Sequence, residues 1–290
     1  MNTVLIIDSC SDLPFEYIIN NNIIALSLTF HFKDNEYKDD FGRTIGYKEF
    51  YDAVRNGEMP TTSQINVNTF EEEFKKHVKE NKSIIYVGFS SALSGCVNSA
   101  RVARENVLEE YSDADITVID SKSASLGYGT LVCYANEMRL RDCPKDEIVK
   151  WVEDNKLKMN HWFTVDDLHH LKRGGRISAT AAVVGTLLSI KPILHVDNEG
   201  RLIPVSKVQG RKKSIKALYE QLKLKIVNPE EQVIFISHGD CVEDADILKK
   251  LILNDVKVKD VIINPISATV GTHSGPGTVA LFFIGNTRQV

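Results

Sequence analysis

Residues 83–101 read Ser-Ile-Ile-Tyr-Val-Gly-Phe-Ser-Ser-Ala-Leu-Ser-Gly-Cys-Val-Asn-Ser-Ala-Arg, and the order of those residue types decides the fold. Ile84, Ile85, Tyr86 and Val87 form a short apolar run suited to a buried strand. Gly88 to Gly95 is a hydroxyl-rich turn, and from Cys96 onward the spacing turns helical. A strand that ends in small polar residues and feeds a helix gathers hydroxyls and free backbone N–H groups into one hollow. The helix start carries partial positive charge, so such a hollow suits an anion. Ser94 stands at the expected N-cap, where its hydroxyl can hold either the helix or a ligand.

Toward the N-terminus, residues 3–7 are a second buried-type strand that runs into Asp8-Ser9-Cys10-Ser11-Asp12-Leu13-Pro14. Asp8, at a strand's C-terminal end, sits where open α/β sheets place ligands, and it also reads as a turn-stabilising carboxylate. Asp12 is expected to cap a helix that Pro14 opens. Residues 23–32 alternate well enough for one or two strands, and the polar turn 33–36 before Tyr37 predicts a small hairpin. A helix over 47–56 ends at Gly57. Met59-Pro60-Thr61-Thr62-Ser63-Gln64 then forms a second hydroxyl cluster. Phe70, Phe74 and Val78 recur at helical spacing and predict an amphipathic helix over 68–81. Past the opening stretch come a strand at 116–120 and helices over 126–141 and 145–158. This alternation predicts a mostly parallel sheet with helices on both faces.

The pattern changes near residue 160. A strand over 161–165 precedes Leu168, Leu171, Lys172, Arg173, Gly174, Gly175, Arg176 and Ile177, and a helix is expected from Ala179. Strands over 190–196 and 202–208, joined by Asp197-Asn198-Glu199-Gly200, read as an antiparallel hairpin. A basic helix over 211–226, a strand at 232–237, a helix at 242–253 and strands at 258–266 and 279–284 follow. The expected architecture is α/β in two domains. Residues 1–165 form the parallel-sheet domain, and residues 166–290 an α+β domain with a mixed or antiparallel sheet. A length of 290 residues agrees, because it exceeds what one core usually serves.

Composition excludes several classes. A net charge of −4, with 43% hydrophobic and 26% charged residues, argues against general nucleic-acid or acidic-membrane binding. The apolar run at 4–7 is too short, and lacks the basic flank, for a signal peptide. The longest apolar stretch, 179–194, is interrupted by Thr180, Gly185, Thr186, Ser189, Lys191 and Pro192, so stable membrane insertion is not expected. Five scattered cysteines without a C-x-x-C pair fit a reducing cytosol. Eight histidines include no H-E-x-x-H, and His169 and His170 would point to different helix faces, so no metal site is expected.

Val270-Gly271-Thr272-His273-Ser274-Gly275-Pro276-Gly277 reads as a shaped loop whose strong ionisable group is His273. Its glycines allow another backbone to approach closely. Arg173 and Arg176 flank Gly174-Gly175, so one guanidinium could turn back toward the interdomain cleft.

Six pieces, in order along nearly the whole chain, resemble the DegV family, bacterial fatty-acid-binding proteins whose FakB members are subunits of fatty acid kinase. They are Asp8-Ser9-x-Ser11-Asp12-Leu13, Thr62-Ser63-Gln64, Ser90-Ser91-x-Leu93-Ser94-Gly95, Asp120-Ser121-(x)3-Ser125-x-Gly127, Leu168-x-x-Leu171-x-x-Gly174-Gly175-Arg176-Ile177 and Gly271-x-His273-x-Gly275-Pro276-Gly277. The resemblance implies a long-chain fatty acid bound between two α/β domains, its carboxylate held by Thr62 and Ser94 with His273 nearby. It implies no catalytic residue, metal or cofactor in this chain. A separate ATP-dependent fatty acid kinase would phosphorylate the bound acid, and the acyl phosphate would feed phospholipid synthesis in the cytoplasm, with no more than transient membrane contact. Arg173, Arg211 and Lys207 are the residues it assigns to acyl-phosphate or kinase contact. Cys10 and Cys96 stand where relatives commonly carry threonine. Gln209 stands about where many carry an arginine in a basic patch linked to kinase docking, with Lys207, Arg211, Lys212 and Lys213 alongside.

Physical chemistry accommodates such a ligand. Burying a sixteen-carbon chain at ~0.8 kcal/mol per methylene contributes on the order of 12 kcal/mol, whereas an unpaired buried carboxylate costs several kcal/mol. Two hydroxyls, a helix start and a histidine offset that cost. Residues 181–188 and the strands around Phe282 are the tail-tunnel candidates. The alternative is a serine hydrolase acting on acyl esters, since Gly88-Phe89-Ser90-Ser91-Ala92 nearly spells G-x-S-x-G and His273 follows late. Ala92 breaks that motif. Gly275-Pro276-Gly277-Thr278-Val279-Ala280 fits a dinucleotide fingerprint on paper, but a strand rather than a helix follows it. Gly127-x-Gly129 lacks the third small residue, and no P-loop is present.

Overall fold

The computed structural model describes residues 2–178 and 189–289. The chain begins β1 (Thr3–Asp8), α1 (Phe15–Asn20), β2 (Ile24–Leu26), β3 (Thr29–Phe32), β4 (Asn35–Lys38), α2 (Tyr47–Arg55), β5 (Thr61–Ser63) and α3 (Val67–Val78). It continues β6 (Ser83–Gly88), α4 (Cys96–Glu110), β7 (Ile116–Asp120), α5 (Ser125–Leu140) and α6 (Lys145–Asn155). Its second part holds β8 (Met159–Thr164), α7 (His169–Arg173), β9 (Ile190–Val196), β10 (Leu202–Gln209), α8 (Arg211–Lys225), β11 (Val233–His238), α9 (Val242–Asp255), β12 (Asp260–Pro265), α10 (Ala268–Ser274) and β13 (Val279–Ile284).

The first sheet has the order β2-β1-β6-β7, and every pairing in it is parallel. Ile84 to Val87 are buried because both faces are covered. Helices α3 and α4 pack together on β6, and the pair α5 and α6 also packs against this sheet. Lys33 and Asp34 make the expected hairpin turn, both at positive φ, a backbone twist that suits a two-residue connection. That hairpin belongs to a separate antiparallel sheet, β4-β3-β5, which sets Thr62 opposite Phe30.

The second sheet is mixed, with the order β10-β9-β8-β13-β11-β12 and one parallel pair, β11 with β12. Strand β8 pairs with β13 and β9, so the chain passes to the second sheet before Met159, ahead of the division expected at 165. Its outer face, including Trp162, Ile236 and Phe283, is covered by α8 and α9. Its inner face, including Phe163, Phe235 and Phe282, belongs to the core that contains β1 and α5.

Helix α5 lies between the sheets, touching β1 on one side and β8, β11 and β13 on the other. Only a slim helix fits there. A Cβ on Gly127 would stand 2.3 Å from His161 Nε2, and one on Gly129 would stand 2.6 Å from the Ser11 carbonyl. The Gly-x-Gly spacing thus serves packing.

Asp12 does not cap α1. Pro14 occupies that cap position without a side-chain bond. Instead the buried Asp12 carboxylate accepts the Ser125 hydroxyl and the Ser267 N–H (2.9 Å), and its carbonyl accepts Asn264 Nδ2–H (2.7 Å). Burial pushes its pKa up to about 7, and that of Asp8 up to about 6. A carboxyl whose folded pKa exceeds its unfolded value stabilises the fold at low pH, and that contribution is lost as pH rises through the folded pKa. The neutral buried ring of His195, with a pKa near 4, acts in the opposite sense. The comparison with Asp12→Asn isolates the carboxyl. Between pH 4 and 7 the variant should gain on wild type by up to about 1.4 kcal/mol per pH unit in urea unfolding. Parallel stability curves would refute the assignment.

Candidate functional site

A cavity of about 990 Å³, its open mouth included, lies between the inner face of the second sheet and the turn from β6 to α4. Thr62, Ser94 and His273 all line it, so the structure brings the three residues chosen for the carboxylate into one place. These polar groups are half-buried. Phe163, Leu171, Ala280 and Phe282, which also line the cavity, are buried. The wall is mixed, with buried Ser125, His161, Ser237 and Thr278 beside these apolar side chains.

His273 sits in the last turn of α10, not in a loop as the glycines suggested; the turn begins at Gly275, whose φ is +78°. Its Nε2 lies 2.8 Å from Thr62 Oγ1, joining positions 211 residues apart. Its Nδ1 is buried without a partner among the described residues. Burial, helped by Arg176 and Arg173, holds the ring's pKa down to about 4, so at neutral pH the imidazole is uncharged. Gly174 is what lets the ring sit there, since a Cβ on it would stand 2.1 Å from His273 Nδ1.

Ser94 lies one residue ahead of the observed N-cap, which is Gly95. Its Oγ accepts the Cys96 N–H at 3.4 Å and its hydroxyl donates to Cys96 Sγ at 3.3 Å. Cys96 Sγ also accepts the Ile65 N–H at 3.4 Å, and burial pushes the thiol up to about 12. The cysteine therefore works as a neutral, weak acceptor that ties the two hydroxyl-bearing loops together.

Arg176 is the cation that lines the cavity. Its Nε donates to the Leu93 carbonyl at 3.0 Å and its Nη1 to the Gly174 carbonyl, so the guanidinium is fixed beside the turn that carries Ser94. Both arginines flanking the double glycine were visible in the sequence, but spacing alone does not say which one turns inward. Arg173, Arg211 and Lys207 stand outside the cavity wall. Arg173 is exposed, 3.4 Å from His170 Nδ1. Arg211 is tied to Asp244 at 2.8 Å, and Lys207 lies exposed on β10. Residues 181–188, proposed as tunnel wall, lie outside the described residues, whereas Phe282 lines the cavity as expected.

The hydrolase-like serines are engaged otherwise. Ser90 is buried and donates to the Gly200 carbonyl at 2.9 Å, and Ser91 donates to Asp120 at 2.5 Å. Among the described residues neither hydroxyl bonds a histidine, and no cluster of three His, Cys, Asp or Glu side chains could hold a metal.

The family model described as "Uncharacterised protein, DegV family" matches residues 2–286. A DegV domain-containing protein of Clostridium perfringens is 49% identical over 99% of this chain and 98% of its own length. A DegV lipid-binding protein from Thermotoga maritima has a similar solved structure, with a TM-score of 0.87, 29% identity and full coverage of both chains. DegV from Bacillus subtilis, described as a fatty-acid-binding protein, gives a TM-score of 0.84 and 29% identity over 99% of this chain and 100% of that one.

The packing at Gly174 gives a direct test. Gly174 has an ordinary negative φ, so Gly174→Ala adds steric pressure on His273 without backbone strain. Displacing the ring toward water should raise its pKa from about 4 toward the normal 6.5, read by NMR titration of the imidazole. An unmoved titration would show that the contact is not what holds the ring.

Proposed function

This chain belongs to the DegV family, and from that premise we propose that it binds a long-chain fatty acid with the tail in the cavity and the carboxylate at its mouth. The observation that carries the reading is the convergence of Thr62, Ser94, His273 and Arg176, all half-buried, on one cavity whose wall also holds Leu28, Phe89, Leu93, Phe163, Leu171 and Phe282. Family relatives from Bacillus subtilis and Thermotoga maritima are described as fatty-acid- and lipid-binding. Tail burial at ~0.8 kcal/mol per methylene supplies most of the affinity. The head then needs donors. If the neutral His273 carries its proton on Nε2, it donates to Thr62 Oγ1 and leaves the Thr62 hydroxyl free to donate to the carboxylate. The buried Nδ1 then holds only an unused lone pair rather than an orphaned N–H. Arg176 lowers the cost of bringing the charge out of water.

The chain in this reading performs no chemistry itself. It presents the carboxylate at a mouth open enough for a separate ATP-dependent fatty acid kinase to deliver phosphate, and the acyl phosphate goes to phospholipid synthesis. Arg173, exposed and close enough to His273 to depress its pKa, suits contact with the phosphorylated product. Exposed Lys207, Lys212 and Lys213 suit kinase docking, with Arg211 shaping that surface through its bond to Asp244. A cytoplasmic setting agrees with this role; no helix among the described residues is long and apolar enough to cross a membrane. We further propose that residues 1–165 and 166–290 act as the two units between which the acid lies, β8 being the strand that the first lends to the second sheet.

Loss of one hydrogen bond to a charged group costs about 1.5–3 kcal/mol, so Thr62→Ala and Ser94→Ala should each weaken palmitate or oleate binding by roughly ten- to hundredfold. Native mass spectrometry and displacement of a fluorescent fatty acid would measure this. Undiminished binding in both variants would sink the site.

A further inference from the structure

A second pocket borders the same strand β11 and helix α5 as this cavity. Val233 and Phe235 of β11, Ile262 of β12, Leu13 and Cys133 line it, and it encloses about 710 Å³, open mouth included. The two spaces share elements. Ser237 lines the first and Phe235 the second, and alternate residues of a strand face the same side. Phe235 is the cross-strand partner of Phe282, which lines the first cavity. Two paired rings therefore stand side by side, one in each wall, both almost wholly buried at 5% and 2% exposure. From Ser237 to Val233 the strand advances about 13 Å. Helix α5 runs past both spaces, with Ser125 at the first and Cys133, about 12 Å further along the axis, at the second.

We propose that Phe235, backed by Phe282, is the partition that sets the upper limit of acyl-chain length, and that the second pocket receives the terminal carbons of longer acids when that ring is removed or turned. The inference rests on the fatty-acid reading of the first cavity. The chemistry of the second pocket selects its occupant. Leu13, Val233, Phe235 and Ile262 suit methylenes. At its edge the exposed Glu137 and Glu231 outnumber the exposed Lys259, so the rim is net negative and disfavours a carboxylate arriving from solvent. A tail entering from within carries no charge past that rim, so this space takes the end of a chain rather than the head of another.

The test is an affinity series of saturated acids from fourteen to twenty-four carbons, measured on wild type and Phe235→Ala. In wild type, affinity should rise roughly fourfold per added methylene and then break where the first cavity is full. In Phe235→Ala the rise should continue past that break, giving at least about tenfold tighter binding of a twenty-two-carbon acid. Removing a buried ring loosens a core, so Phe235→Leu is measured beside it and should move the break in the same direction by less. Adding Cys133→Trp to Phe235→Ala fills the second pocket and should restore the wild-type break. An unmoved break in both Phe235 variants, or failure of Cys133→Trp to restore it, overturns the partition. If wild type binds no acid of any length, it is the fatty-acid reading itself that fails.

Discussion

The Asp12 carboxylate is the constraint on which the ligand cavity depends. It is buried with both oxygens occupied, by Ser125 at the start of α5 and by the backbone of Ser267 just ahead of α10. Asp12 and Ser125 each hold a left-handed backbone, with φ of 52° and 53°, a conformation that non-glycine residues keep only when their surroundings over-determine it. A second buried carboxylate, Asp39, accepts the Thr269 N–H at 3.0 Å. Two acids from the first part of the chain thus grip the N-terminal end of α10 by accepting backbone N–H groups there. The opposite end of that short helix carries His273. The position of a side chain at the mouth is therefore set by bonds made deep between the sheets.

The same arrangement explains why the space does not simply collapse. Collapse would need the second sheet to move toward α5, but α5 already meets His161 of β8 and Phe282 of β13 at Gly127 and the Ser11 carbonyl beyond β1 at Gly129, with no room left. Arg288 adds a further restraint. Its buried guanidinium donates to the carbonyls of Met159 (2.9 Å) and Lys156 and to Ser123 Oγ (3.0 Å), joining the C-terminal segment to the approaches of β8 and α5. A cavity held open by such a frame is costly when empty. Any ligand that fills it stabilises the fold by mass action.

Much of this was legible in the sequence, for physical reasons that differ from piece to piece. Apolar runs such as 84–87 announce buried parallel strands because both their faces are covered. Thr62, Ser94 and His273 are singled out by the family resemblance, because hydroxyl-rich turns are too common to mark a site by themselves; all three line one cavity. What stayed hidden were choices made by tertiary contact. His273 lies on a helix although three glycines and a proline crowd it, because Asp12 and Asp39 hold the start of α10. Arg176 rather than Arg173 enters the cavity, because the Leu93 and Gly174 carbonyls hold its guanidinium there. Strand β8 joins the second sheet by pairing with β13, about 120 residues further on, a partner that no local pattern points to.

On the proposed function, the charge balance of the mouth bears on how the ligand is handled. His273 is neutral, Thr62 and Ser94 are neutral, and Arg176 already spends two of its donors on backbone carbonyls. A mouth built from a free ion pair would draw its affinity from the head and hold an ionised group hard. In the proposed complex the tail would supply most of the binding free energy through exclusion of water, with neutral donors and the partly engaged Arg176 orienting the head. Affinity and head chemistry would thereby be separated in space, so that the carboxylate could exchange partners at the surface while the acid stays anchored by its hydrocarbon chain.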